Sequence, residues 1–347
     1  MSGRPDVPLA AGSGAPLVRV ERDGIEEAVH LGHLVVADSD GRISVALGNP
    51  NRITYYRSCA KPFQALAALR TGIVSRFDLH TEHIAIMAAS HSGEPRHVEV
   101  VRDLLHRSGV PEDALQCGAH WPYYEPAAGV VRRQMNEPIA IFNNCSGKHA
   151  GMLAAARALD APLETYLDRG HPVQQRIRDV LSEVTDVSPS QVHYGLDGCS
   201  APNPAVPLAA MARSFARLIR ADNEAAREIV EAMTTEPFLI GGTDRFDTRL
   251  MEVTRGRLLG KGGAAGAHCT ADRRSGFGLA IKIDSGDGTW ASVAVISALE
   301  QLQWLEPGER KALAEFAEPE LRNHRRTLVG SVRPVLQLPA TSNRPVG

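Results

Sequence analysis

The chain has 347 residues, 43% of them apolar and 22% charged, with a formal net charge of −2. This is the composition of a globular protein large enough to bury a full core, and its mixed charge leaves no basic footprint for nucleic acid or an anionic membrane. No apolar run approaches the ~20 residues of a membrane span, which argues against a membrane partner.

Met1 to Ala15 is rich in Gly, Ala, Ser and Pro and has no apolar stretch of signal-peptide type. Residues 1–15 therefore read as a flexible tail on a cytoplasmic protein. Leu17–Arg22 and Ala28–Val36 read as strands, with Asp40-Gly41 as the turn before Arg42–Ala46. Asn49-Pro50-Asn51 breaks the pattern, and Ile53–Tyr56 leads into Arg57-Ser58-Cys59-Ala60-Lys61-Pro62. Pro62 fits the first turn of a helix through Leu69, although a proline disfavours helical geometry at the preceding Lys61. Glu82–Ala89 is short and apolar, and Arg96–His106 is amphipathic. Residues 116–147 form a long irregular stretch, read as a functional loop. Helices are expected at Lys148–Leu159, Val173–Val184, Ala205–Arg220 and Ala225–Met233, with a strand at Gln191–Leu196. Strands return at Leu258–Lys261 and Gly278–Asp284. Ser285-Gly286-Asp287-Gly288 reads as a hairpin turn and Ser292–Ile296 as the strand that comes back. Two further helices, Ser297–Leu305 and Arg310–Ala317, precede a proline-containing tail. The expectation is an α+β fold, with one sheet built from both chain ends and packed against a helical middle. It forms one domain over residues 16–334, with 335–347 as a tail.

Basic residues are distributed unevenly: 33 arginines against five lysines. Where only positive charge is needed this sequence uses Arg, whereas Lys offers an amine that can deprotonate when desolvated. Lys61, Lys148 and Lys261 lie in the Ser/Cys/Gly-rich contexts SCAKP, NCSGKH and LGKGG, which nominates them for chemistry. Lys282 and Lys311 read as surface residues. The cysteines, at 59, 117, 145, 199 and 269, are odd in number and spread out, which suits reduced thiols or a metal site.

Ser58 precedes Lys61 by three residues, so hydroxyl and amine can share one helix face, the arrangement of Ser-x-x-Lys acyl-transfer enzymes. With 21 serines and five lysines, such a spacing arises by accident in roughly one chain in four. Ser90-His91-Ser92-Gly93 reads on its own as the closing turn of a helix rather than as a second hydroxyl of the site. Asn143-Asn144-Cys145-Ser146-Gly147-Lys148-His149 opens a helix, and Cys145, His149 and Cys199 are zinc-type donors at a spacing that carries little weight. Gly260-Lys261-Gly262-Gly263 would let backbone approach a ligand closely. Asp197, before Gly198, is either a turn residue or a ligand for a substrate amine.

Taken together and in order, R-S-C-A-K-P, A-S-H-S-G-E, N-C-S-G-K-H-A-G-M-L, G-L-D-G-C and K-G-G resemble the asparaginase II family, the L-asparaginases of the Rhizobium etli inducible type. The resemblance spans about residues 17–305. It implies hydrolysis of L-asparagine to L-aspartate and ammonia, a serine β-lactamase/glutaminase-like fold and a homodimer. By matching motif it also implies two Ser–Lys pairs, Ser58 with Lys61 and Ser90 with Lys261. Cys145, Lys148 and Cys199 would be zinc ligands, and Arg57 and Asp197 would line the substrate site. Ser90 and the metal thus gain roles that the residues alone did not give them, and Lys148 replaces His149 as a ligand. The alternatives are another Ser-x-x-Lys amidohydrolase, glutaminase or β-lactamase-like, and a non-catalytic zinc-binding protein.

Overall fold

The computed structural model describes residues 14–339. The expected tails, up to residue 13 and from residue 340, lie outside the described residues. Among the described residues there are eleven strands: β1 Ala15–Arg22, β2 Ile25–Ala37, β3 Ile43–Leu47, β4 Ile53–Tyr55, β5 His193–Leu196, β6 Pro202–Pro207, β7 Leu258–Gly263, β8 Ala267–Asp272, β9 Phe277–Ile283, β10 Glu320–Arg322 and β11 Leu328–Pro334. The large sheet runs β10-β11-β1-β2-β9-β8-β7, with β3 also paired to β2, while β4-β6-β5 form a small second sheet. All pairings are antiparallel, and β1 lies between β11 and β2, with Val18 opposite both Pro334 and His30. The chain ends therefore meet in one sheet, as the sequence led us to expect.

The helices that position the site are α1 Lys61–Leu69, α2 Ile73–Arg76, α3 Thr81–Met87, α4 Pro95–Arg107, α5 Glu125–Gln134, α6 Ser146–Ala158, α7 Pro172–Thr185, α8 Leu208–Arg220, α9 Glu224–Thr235, α10 Pro237–Ile240, α11 Phe246–Val253 and α12 Gly288–Gln301. Side chains alternate across a strand, and the sheet uses both faces. Val35, Ala37, Cys269, Ala271 and Ala280 join the core of the helical middle. Leu34, Val36, Leu279, Ile281 and Ile283 form a second core with α12 and with Leu336 and Leu338. Every residue of α1 is buried, and the helix packs against α6 and α7. Pro62 sits in its first turn, and Lys61 is helical (φ −60°, ψ −39°) despite the proline that follows.

Three expectations need correction. Ser292–Ile296 is not a strand but lies within α12, whose first turn is capped by Asp287 accepting a bond from the Thr289 N–H. The loop at 116–147 contains α5. The expected helix at Ala205–Arg220 begins only at Leu208, because Pro202–Pro207 is β6.

Two close approaches set the frame of the site. A Cβ on Gly278 would fall 2.1 Å from Ala212 O, which seats α8 on β9, and one on Gly147 would fall 2.2 Å from Ile86 O, which seats α6 on α3. Gly147 thus brings Lys148 and the end of α3, three residues before Ser90, into one plane of packing. Gly147→Ala must push backbone away from backbone, and we expect a loss of about 1–3 kcal/mol of stability, read as a lower midpoint in denaturant unfolding. An unchanged midpoint would show that α3 and α6 have room to part.

Candidate active site

Lys61 is buried, and its Nζ lies 2.6 Å from Ala89 O, 3.1 Å from Asn144 O and 2.9 Å from Ser90 Oγ. Lys261 approaches the same hydroxyl from the other side. It is fully buried on β7, with Nζ 2.9 Å from Ser90 Oγ, 2.9 Å from Gly262 O and 3.5 Å from Asp247 Oδ2. The site therefore departs from two separate pairs. Ser90 is held between both amines, while Ser58 lies in the short 3₁₀ turn Arg57–Ala60 that leads into α1 and lines the adjoining cavity.

Burial without a carboxylate partner lowers Lys61 to about 8; the nearby Cys145 opposes this, while Lys261 and Lys148 reinforce it. Burial would raise Asp247, yet the charges of Lys261 and His268 and the bonds it accepts hold it well below the usual carboxylate range. Its Oδ2 accepts from the Gly262 N–H at 2.7 Å, and Oδ1 lies 3.0 Å from His268 Nε2.

A cavity of about 520 Å³ opens onto Ser58, Ser90, Asn144, Arg245, Asp247 and the start of α12. A smaller one of about 190 Å³ is lined by Arg57, Ser58, Asn144, Cys145, Asp197 and Cys199. Ser58, Tyr123, Asn144 and Ala264 belong to both, so the two chambers meet at Ser58. In the smaller chamber Arg57 Nε lies 3.0 Å from Asp197 Oδ1, and the Arg57 N–H donates to Asn203 Oδ1 at 3.1 Å. The Arg57 backbone is left-handed (φ 51°). For a residue with a side chain that costs about 1–3 kcal/mol and is tolerated where the surroundings enforce it.

Cys145 immediately precedes α6, Lys148 lies in its first turn, and Cys199 lies in the turn between β5 and β6. All three are buried, and Lys148 Nζ is 2.8 Å from Cys199 Sγ. A hydrogen bond from Cys199 holds the Cys145 thiol well below its ordinary value against the cost of burial, while Cys199 is pushed up. Burial would lower Lys148, but the two sulfurs outweigh it and the amine is raised. Two sulfurs and an amine converging in a buried corner make a soft donor set that fits a zinc-type cation, whose binding would displace the protons of these groups. Elsewhere, His80, Glu82 and His83 bring donor atoms within 4.8 Å of one another. That cluster stands at the opposite end of α3 from Ser90, and His83 is already bonded to the His80 N–H and to Asp103.

Several lining residues escaped the sequence reading. Asn144 lay inside a motif read for its neighbours, and Tyr123 inside a loop flagged only as a whole. Asp247 and His268 carried no signal at all, since each lies in an ordinary stretch of its helix or strand.

The family model described as L-asparaginase II matches residues 18–334. The chain belongs to this family. Membership makes this L-asparaginase II family protein a hydrolase by class, acting on amides with a small-molecule substrate. No curated protein matches it. Among solved structures it is similar to a β-lactamase from Mycobacterium bovis, at 16% identity over 82% of this chain and 95% of that one, with a TM-score of 0.42. It is also similar to a mutant of simvastatin synthase from Aspergillus terreus, at 12% identity over 82% and 91%, with a TM-score of 0.37. No helix among the described residues is long and apolar enough to cross a membrane.

The lowered Asp247 carboxyl carries a stability consequence. A carboxyl whose folded value lies below its unfolded value of ~3.9 adds stability that is fully present above that value and is lost as pH falls below it. The stability gap between wild type and Asp247→Asn should therefore be constant from about pH 5 upward and shrink as pH drops below ~4. Urea unfolding at several pH values measures it, and a gap that widens toward acid would contradict the assignment.

Proposed function

We propose that the chain hydrolyses L-asparagine to L-aspartate and ammonia through an acyl-enzyme at a Ser–Lys site. The observation that carries this reading is Ser90 Oγ lying 2.9 Å from both Lys61 and Lys261 on the wall of a cavity that Ser58 shares. Two buried amines on one hydroxyl are costly to maintain, and activation of a serine is the chemistry they suit.

Ser58 is the nucleophile. It is half-buried, stands where the chambers join, and follows Arg57, which with Asp197 forms a charged pair able to hold the ammonium and carboxylate of an amino acid. Its proton passes to Lys61, one helical turn on, with Ser90 as the hydroxyl already bonded to that amine; such contacts commonly tighten only when substrate binds. The Ser58 oxygen bonds to the side-chain amide carbon, the C–N bond breaks, and the proton on Lys61 leaves with ammonia. Water, deprotonated by Lys61, then bonds to the ester carbon, and as the carbon–Ser58 oxygen bond breaks Lys61 returns the proton to Ser58 and aspartate leaves. Cys145, Lys148 and Cys199 would hold zinc, which would supply positive charge to the smaller chamber. The protein would act as a homodimer in the cytoplasm.

Ammonia release from L-asparagine, L-glutamine and a β-lactam tests the substrate class. Turnover of asparagine is expected, and its absence, or turnover of the β-lactam instead, would overturn the reading. Ser58→Ala should lower kcat by on the order of 10⁴–10⁶, and Ser90→Ala by about 10²–10⁴. A trapped β-aspartyl ester should map to Ser58 by peptide mass, and an adduct on Ser90 would exchange the two roles. Cys199→Ser should lose zinc by metal analysis and raise KM more than it lowers kcat. Unchanged zinc content would exclude the proposed ligands.

A further inference from the structure

Ammonia is about the size of a water molecule, which takes up ~30 Å³ in the liquid. The chamber of about 520 Å³ beside Ser58 is far larger than such a leaving group needs. The chamber of about 190 Å³ already carries the Arg57–Asp197 pair, which suits the two charges of an amino acid. The two chambers meet at Ser58. With an aspartyl group seated in the smaller one, the larger is the space left for whatever the amide nitrogen carries.

That space holds one unengaged cation. Arg245 is half-buried on its wall, and among the described residues the guanidinium has neither an ion-pair nor a hydrogen-bond partner. The other basic side chains of the two chambers are taken: Arg57 lies 3.0 Å from Asp197, His268 3.0 Å from Asp247, and His120 2.6 Å from Trp121 O. Asp244 also lines the larger chamber, but it is exposed and outside ion-pair distance of Arg245.

Arg245 is held in place by the segment that carries Ser90. It ends the loop Gly241–Arg245, which turns through two left-handed residues, Gly242 (φ 112°) and Asp244 (φ 57°), before α11. The Ser90 N–H donates to Ile240 O at 2.9 Å, and Ser92 Oγ to Gly241 O at 2.9 Å. The buried Glu94 carboxylate accepts from the Thr243 N–H at 2.8 Å and from its hydroxyl at 2.7 Å. Phe246 and Phe316, with rings 5.5 Å apart, add an apolar wall to the same chamber. A free guanidinium beside an apolar wall fits the carboxylate and the side chain of a second amino acid.

We propose that the larger chamber receives the leaving amine, that Arg245 grips a carboxylate on it, and that the protein therefore also hydrolyses β-aspartyl dipeptides, an inference that rests on the acyl-transfer reading above. The Ser58 oxygen bonds to the β-carbonyl carbon, the C–N bond breaks, and the second amino acid takes the proton from Lys61 in place of ammonia. Water then releases aspartate, so one water is consumed and two amino acids leave. Arg245 is a specificity-determining residue that binds the leaving group and takes no part in proton transfer.

Two arms test it. β-Aspartyl-leucine and its C-terminal amide differ only in whether the leaving group ends in a carboxylate. Their kcat/KM values are measured in wild type, Arg245→Gln and Arg245→Lys, with L-asparagine alongside. Wild type should favour the acid by about 10- to 100-fold, the scale of a charge-assisted hydrogen bond. Arg245→Gln should abolish that preference by slowing the acid, and Arg245→Lys should retain part of it. Equal turnover of acid and amide in wild type, a preference that survives Arg245→Gln, or a uniform loss for all three substrates would overturn the proposal. Turnover of asparagine with none of the dipeptide would also sink it, and would leave the asparaginase reading intact.

The second arm needs no turnover. Ser58→Ala, which lacks the nucleophile, is titrated by calorimetry with the acid and with the amide. The acid should bind about 10-fold or more tightly, and the difference should vanish when Arg245→Gln is added. Equal binding of the two in Ser58→Ala would contradict the proposal. If wild type turns over neither asparagine nor the dipeptide, the acyl-transfer reading fails and dipeptide hydrolysis with it, while this arm still decides whether Arg245 holds a carboxylate.

Discussion

Ser90 Oγ touches two buried amines at once, and it can do so only because three distant stretches of chain are forced together. Lys61 opens a helix buried along its whole length, Ser90 follows the end of α3, and Lys261 comes from the edge strand of the sheet. Each is located by backbone packing rather than by the polar contacts themselves. Gly147 lets α6 close on α3, Gly278 lets α8 close on β9, and the Ser90 N–H is tied to Ile240 O at 2.9 Å. Side-chain hydrogen bonds contribute only about 1 kcal/mol each in net terms, so they cannot hold such a cluster against the cost of burying amines. The apolar cores on both faces of the sheet supply that stability, and the site spends part of it.

Much of the architecture was legible because periodicity and punctuation agree. The strands at the N-terminal end, the turn at Asp40-Gly41 and the proline-led α1 and α7 all follow from local pattern. Ser292–Ile296 misled for a physical reason. Ser-Val-Ala-Val-Ile looks like a strand, but α12 is buried along most of its length beneath the sheet, and a short apolar run in a buried helix has no face to advertise. β8 was missed because Ala267-His268-Cys269-Thr270-Ala271-Asp272 lacks the β-branched density of its neighbours, although all six residues are buried. In the site, motif order nominates the serines and lysines, and tertiary packing determines which amine meets which hydroxyl. Spacing along the chain pairs Ser58 with Lys61. The fold instead turns Lys61 toward Ser90, because Ala89 O and Asn144 O offer its amine the acceptors that burial demands.

The scarcity of lysine has its sense in the charge balance of the interior. Lys61, Lys148 and Lys261, the three singled out by context, are buried, whereas Lys282 is half-buried and Lys311 exposed. A buried ammonium needs a partner or must give up its proton. Lys261 has Asp247 at 3.5 Å, and Lys148 has the sulfur of Cys199 at 2.8 Å with Cys145 close by. Lys61 has two carbonyls, a hydroxyl and the nearby Cys145 thiol, and it stands near the other two lysines. Arginine at that position would stay charged whatever its surroundings, and a carboxylate beside it would keep even lysine protonated. Burial lowers Lys61 even with Cys145 close by, and its amine stands against the Ser90 hydroxyl.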